Sequence, residues 1–189
     1  MDSSMSLDQL RADFNAGSTN SMPIAGMIIW GVLGILALTL DRSSIGTLAV
    51  YIMCGILPLA YLLDRVRGRN LFAGGSSNPL TRLFLISIVG IALMFPLAIT
   101  AARISGDPTF VVLGMAILAG VIWIPYGWAA DDPVGMQHAI GRGIGCYGAF
   151  AIVPQPHTAS AICGVVVISY LYSLVRMRPV GKSINAPNN

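Results

Sequence analysis

Residues 134–153 read VGMQHAIGRGIGCYGAFAIV, and whether this stretch crosses a bilayer decides how many times the chain does. Its length meets the requirement of about 20 mostly apolar residues for a spanning helix. Yet it holds Arg142 near its middle, with His138 one helical turn earlier on the same face. An ionisable group at that depth costs ~2.5–3.5 kcal/mol on insertion scales, so it marks an interior site or a structural lock. At a spacing of four, His138, Arg142 and Cys146 form one stripe. Gln137, Gly141, Gly145 and Ala149 form a second, a small-residue ridge that lets another helix approach closely. Ile140, Ile144, Tyr147 and Ala151 fall on the remaining side and can face lipid. The stretch therefore reads as the central helix of a bundle, with Arg142 turned inward.

Asp132-Pro133 precedes this helix, and the same device recurs at Asn78-Pro79 and Asp107-Pro108. Each places a capping side chain before a proline at the first helical position, where the missing N–H costs nothing. Ser43 or Ser44, Thr158 and Ser21 are expected to serve the other helix starts. Six apolar spans result: 22–40, 45–63, 80–101, 109–127, 134–153 and 158–175. The fold class is all-α, an integral-membrane six-helix bundle. Residues 1–21 form an N-terminal segment, and 176–189 a basic tail.

Composition agrees. Only 10% of residues are charged and mean hydropathy is +0.74; a soluble domain carries about 25% charged residues. There is no Glu, and the only Lys is Lys182. With six spans, Arg11, Arg65, Arg67, Arg69, Arg82, Arg176, Arg178 and Lys182 share one face, against Arg42 and Arg103 on the other. That excess places both termini in the cytoplasm, and an odd number of spans would destroy it. The basic residues are spread along the chain, which is a topology signal; no nucleic-acid partner is expected.

Residues 6–14 (SLDQLRADF) read as a short amphipathic helix lying on the membrane surface, with Ser6 and Gln9 as a capping-box pair. Arg65, Arg67 and Arg69 follow the second span and can meet anionic lipid headgroups, with Leu71 and Phe72 dipping into the interface. Pro58, Pro96 and Pro125 sit in the last third of spans two to four, where each removes a backbone hydrogen bond and tends to kink its helix.

Candidate chemistry centres on span five. No Asp or Glu lies inside any span, so Arg142 must find carbonyls freed by the prolines, hydroxyls such as those of Tyr51, Ser87, Thr100, Ser169 and Tyr170, water, or an anion. The expected substrate-binding residues are Arg142, His138 and Gln137, with Gly141 and Gly145 for helix packing. The bland alternative is a hydrogen-bond lock. Cys54, Cys146 and Cys163 are expected as buried free thiols; no metal site, cofactor or catalytic residue is expected. A retinal lysine, a bis-histidine haem pair, an arginine ladder, an aspartyl dyad, a G-x-S-x-G motif and a phosphate loop are all lacking. Asp131-Asp132 would be a catalytic pair only if Pro133 did not already explain Asp132 as a cap.

The block Ile56–Leu83 (ILPLAYLLDRVRGRNLFAGGSSNPLTRL), followed by IPYGW at Ile124–Trp128, resembles small bacterial multi-pass membrane proteins grouped as a domain of unknown function. The resemblance implies a bacterial inner membrane and transfers no activity. Three functions remain open. A small anionic or amphipathic solute could bind in or move through a cavity centred on span five. The chain could be an accessory subunit or homo-oligomer assembling through the Gly141/Gly145 ridge. Last comes a lipid-modifying enzyme using Asp131, Asp132 and His138.

Overall fold

A computed structural model describes residues 5–68 and 77–177, and the described residues form ten α-helices. Arg69, Leu71, Phe72, Arg178, Lys182 and the tail beyond them lie outside this set. The helices are α1 (Leu7–Gly17), α2 (Ser21–Leu36), α3 (Arg42–Met53), α4 (Ile56–Val66), α5 (Pro79–Ala92), α6 (Phe95–Ser105), α7 (Thr109–Val121), α8 (Trp123–Ala130), α9 (Val134–Ile152) and α10 (Thr158–Arg176).

Three of the expected spans correspond to helices long and apolar enough to cross a membrane: Pro79–Ser105, Thr109–Ala130 and Thr158–Arg176. Counting the bent pairs α1/α2 and α3/α4 as single spans raises the number to five. Helix α9 falls outside that set although it has 19 residues, because Gln137, His138, Arg142 and its glycines dilute its hydropathy. The 22–40 stretch is helical only to Leu36 before it turns.

Each internal proline lies in the first turn of a new helix: Pro58 in α4, Pro96 in α6 and Pro125 in α8. The missing N–H interrupts the ladder one turn upstream. The break bends α3 against α4 by 45°, whereas α5/α6 and α7/α8 continue as single spans.

Helix starts follow the predicted chemistry at three places. Asn78, Asp107 and Asp132 accept from the N–H of Leu80, Thr109 and Val134 at 2.8, 2.9 and 3.0 Å. The Ser6/Gln9 capping box closes as expected. Three expectations fail. Asp41 caps α3, accepting from Ser44 N–H at 3.0 Å, so Ser44 is the donor to the cap. Thr158 donates to Val153 O at 2.7 Å, and Ser21 donates to Asp64. At α3 the Asp41 carboxylate, an acceptor only, outcompetes the Ser43 and Ser44 hydroxyls.

The helices gather at two ends. Ser21, at the start of α2, reaches Asp64 near the end of α4. Asn78, at the start of α5, reaches Leu10 O at 2.8 Å, and Asn15 reaches Ala130 O at the end of α8 at 3.0 Å. At the other end Gln155 donates to Thr109 at 2.9 Å, joining the α9–α10 turn to the start of α7. The core runs from Trp30 and Leu33 through Val112 and Ala116 to Ile162 and Val166. Helix α10 packs on α2, α9 and α7, and α9 packs on α10, α7 and α8. Helix α1 does not lie apart on a surface. Phe14 buries itself against Phe84 and Tyr126, with centroids 6.2 and 5.8 Å away, and docks α1 on α5 and α8.

Candidate functional site

Arg142 is fully buried, as its position on the inner stripe of α9 predicts. Its Nε donates to Ala116 O of α7 at 2.7 Å. That carbonyl is an ordinary helical one, not one freed by a proline. The guanidinium lies over Trp30 of α2 at 5.4 Å and Tyr170 of α10 at 5.2 Å. Each such contact contributes ~2 kcal/mol when desolvated. Gly120 makes room for the side chain: a Cβ there would lie 3.0 Å from Arg142 Cδ and 3.3 Å from Nε. Nη1 and Nη2 are buried and unpartnered, and among the described residues no carboxylate pairs with them.

His138 is 1% exposed and stacks on Trp123, the ring centroids 4.1 Å apart and 16° from parallel. Its Nδ1 shares a 2.7 Å hydrogen bond with Ser173 Oγ, and its Nε2 is buried and unpartnered. Tyr170 joins the two residues, standing edge-on to His138 at 5.3 Å. Four helices thus supply one aromatic cage: Trp30, Trp123, His138 with Arg142, and Tyr170.

Gln137 is not brought to this cluster. It is exposed, and its Oε1 accepts from Tyr172 OH at 2.6 Å. The glycine ridge divides as well. Gly145 meets Val165 of α10, where a Cβ would come within 2.8 Å of Cγ1, but Gly141 is exposed with nothing within 4 Å. Closer glycine packing occurs between α8 and α9, where a Cβ on Gly135 would lie 2.5 Å from Gly127 Cα. Cys146 and Cys163 are buried free thiols, whereas Cys54 is exposed on the outside of its helix.

A cavity adjoins the cage. A space of about 390 Å³ is bounded by α1 (Asp13, Phe14), α4 (Ile56, Leu57) and α5 (Phe84, Ile88), and no α9 residue lines it. Trp123 and Tyr170 form its inner wall, so the cage around Arg142 backs onto the cavity without opening into it. Its polar rim is Asp13, Ser18 and Thr19 at the α1–α2 joint.

Beside that joint sits a residue that sequence reasoning placed at the interface. Asp64 is fully buried, accepting from Ser21 Oγ and, at 3.1 Å, from Thr19 Oγ1. The signal available in sequence was its place four residues after Ala60 on a face shared with the buried side of α4. Asp131 and Asp132 are accounted for structurally: Arg11 pairs with Asp131 at 3.1 Å, and Asp132 caps α9. No group of His, Cys, Asp or Glu among the described residues could hold a metal ion.

The fold is all-α, with three helices long and apolar enough to cross a membrane, or five if each bent pair is one span, and a buried arginine in its core. The chain belongs to a family of unknown function, DUF7010, whose profile matches residues 7–178. Neither the curated proteins nor the solved structures yield a match.

Proposed function

We propose that this chain is a six-span protein of the bacterial inner membrane, both termini cytoplasmic, that binds a small amphipathic solute. The spans would be α2, α3/α4, α5/α6, α7/α8, α9 and α10. Two observations support that count. Hydrogen bonds from α1 and α2 collect the ends of α4 and α8 and the start of α5 at one pole. Arg11, Arg65, Arg67, Arg82 and Arg176 fall at that pole, and Arg42 and Arg103 at the other. Arginine excess marks the cytoplasmic side, and Arg65 and Arg67 there can meet anionic headgroups.

The cavity is the observation that carries the binding reading. Its volume of about 390 Å³ falls in the small-ligand range of roughly 300–1,000 Å³. An apolar interior with polar groups confined to one rim suits a molecule with a hydrocarbon body and a polar head. Leu57 and Leu85 on its edge are also exposed on the outside of the bundle, which gives a solute in the bilayer a route in between α4 and α5. Arg142 and His138 act here through Trp123 and Tyr170, whose rings they hold.

The test fills the cavity. Ile88→Trp should abolish binding of a fluorescent single-chain lysophospholipid to the purified protein while leaving its helical content and melting unchanged. Undiminished binding in a folded Ile88→Trp protein would reject the reading. A second reading, self-assembly through the outer face of α9, is favoured by exposed Gly141 beside exposed Ile140 and Ile144. It requires Gly141→Leu to shift the protein to a smaller species in native mass spectrometry.

A further inference from the structure

We propose that the cage around Arg142 is a separate, fully enclosed site for one small monovalent anion of halide size. Four nitrogen atoms in this cage are buried without a partner: Nη1 and Nη2 of Arg142, Nε2 of His138 and Nε1 of Trp30. Their residues belong to one cluster, since Arg142 lies over the Trp30 ring and both Arg142 and His138 touch Tyr170. Three of the four are donors whatever the tautomer, since arginine and tryptophan nitrogens can only donate; Nε2 of His138 joins them in the tautomer whose Nδ1 accepts the Ser173 hydroxyl. A buried donor without an acceptor costs about 1–3 kcal/mol, more where the donor is charged. The chemistry wanted is therefore an acceptor with no donor of its own, close to the guanidinium edge.

Charge sharpens the choice. The cage holds a permanent cation, and no carboxylate among the described residues pairs with it. One monovalent anion brings the cage to neutrality; a water molecule would leave the charge uncompensated and bring two donors into a site already full of them. A divalent phosphate would be disfavoured, because desolvation cost grows with the square of the charge and Arg142 and Trp30 are both 0% exposed. The guest belongs in the guanidinium plane, where the N–H groups point, because the rings of Trp30 and Tyr170, over which the cation lies at 5.4 and 5.2 Å, turn negative faces to it.

The site shares the Trp123 and Tyr170 wall with the amphiphile cavity, and Ile88→Trp, which fills that cavity alone, should leave bromide binding intact, so each proposal can fail alone. The protein is exchanged into gluconate buffer and titrated with bromide at constant ionic strength. Bromide quenches tryptophan on contact, so binding should give saturable quenching and a rising melting temperature, on top of the linear collisional quenching of exposed Trp128. Arg142→Gln should abolish the saturable phase and the shift. Trp30→Phe, which keeps a ring but removes one donor, should weaken bromide binding several-fold, and it serves as the test if Arg142→Gln does not fold. Crystals grown in bromide should show an anomalous peak within hydrogen-bonding distance of Arg142 Nη1 or Nη2. Identical melting in bromide and gluconate, a saturable response that survives both substitutions, or a response to inorganic phosphate or a short-chain phosphatidylglycerol but not to bromide would overturn the proposal.

Discussion

Asp64 is held in the core by two hydroxyls, those of Ser21 and Thr19 at the α1–α2 joint. Removing one leaves a buried carboxyl group with half its partners, a loss that costs about 1–3 kcal/mol. Ser21→Ala should destabilise the protein by that amount in thermal melts in detergent, whereas Ser87→Ala, whose hydroxyl only returns to its own helix at Leu83, should change little. The contrast also shows where sequence reading stops. The Asn78, Asp107 and Asp132 caps were legible because donor and acceptor sit two residues apart, so local spacing fixes the bond. Ser21 and Thr19 find Asp64 across separations of 43 and 45 residues, and no local pattern carries that pairing. Arg142 stood between these cases: its inward face was legible, its rings were not.

Among the elements, α8 and α9 meet through Gly127 and Gly135 with backbone against backbone. A methyl group at Gly135 has no flexible neighbour to displace, so Gly135→Ala should cost ~1–3 kcal/mol by overpacking. Gly141→Ala meets nothing within 4 Å and gains the ~1 kcal/mol helix preference of Ala over Gly, so its melting temperature should rise. Period-four spacing marked Gly141 and Gly145 equally, because spacing identifies a face and not the neighbour that covers it. At the start of α3, bonds from the Ser44 hydroxyl and N–H hold the Asp41 carboxyl below its ordinary range. A group depressed in the folded state stabilises fully above its unfolded value, about 3.9, and loses that contribution as pH falls through the folded value. Amide protection at Ser44 and Ile45, relative to the intrinsic exchange rate at each pH, should therefore fall on acidification below about pH 4, and Asp41→Asn should remove that dependence while keeping an acceptor.

For the whole molecule, α1 is the piece that composition described and packing reassigned. Its amphipathic face was plain in the sequence, but the surface it buries is its own bundle, through Phe14, and it roofs the cavity with Asp13 and Phe14. Deleting residues 1–17 should leave the helical bundle folded, expose Phe84 and Tyr126, and speed dissociation of a bound lysophospholipid in a stopped-flow chase at least several-fold. An unchanged off-rate would show that α1 does not limit access. The cavity bounded by α1, α4 and α5 was not legible from Arg142, because its walls come from residues far apart in the chain that no local pattern joins.

The position of α10 has a consequence for biogenesis. Among the described helices it leaves the ribosome last, yet it fills the gap between α2 and α9 and supplies Tyr170 to the Arg142 cage. If α9 spans the bilayer as proposed, Trp30 waits on one side and the guanidinium enters half-screened until α10 inserts, so the insertion machinery would shelter an arginine that the nascent chain cannot yet cover. Chains stalled before residue 158 should then stay crosslinkable at Arg142 to that machinery, and completion of α10 should release them.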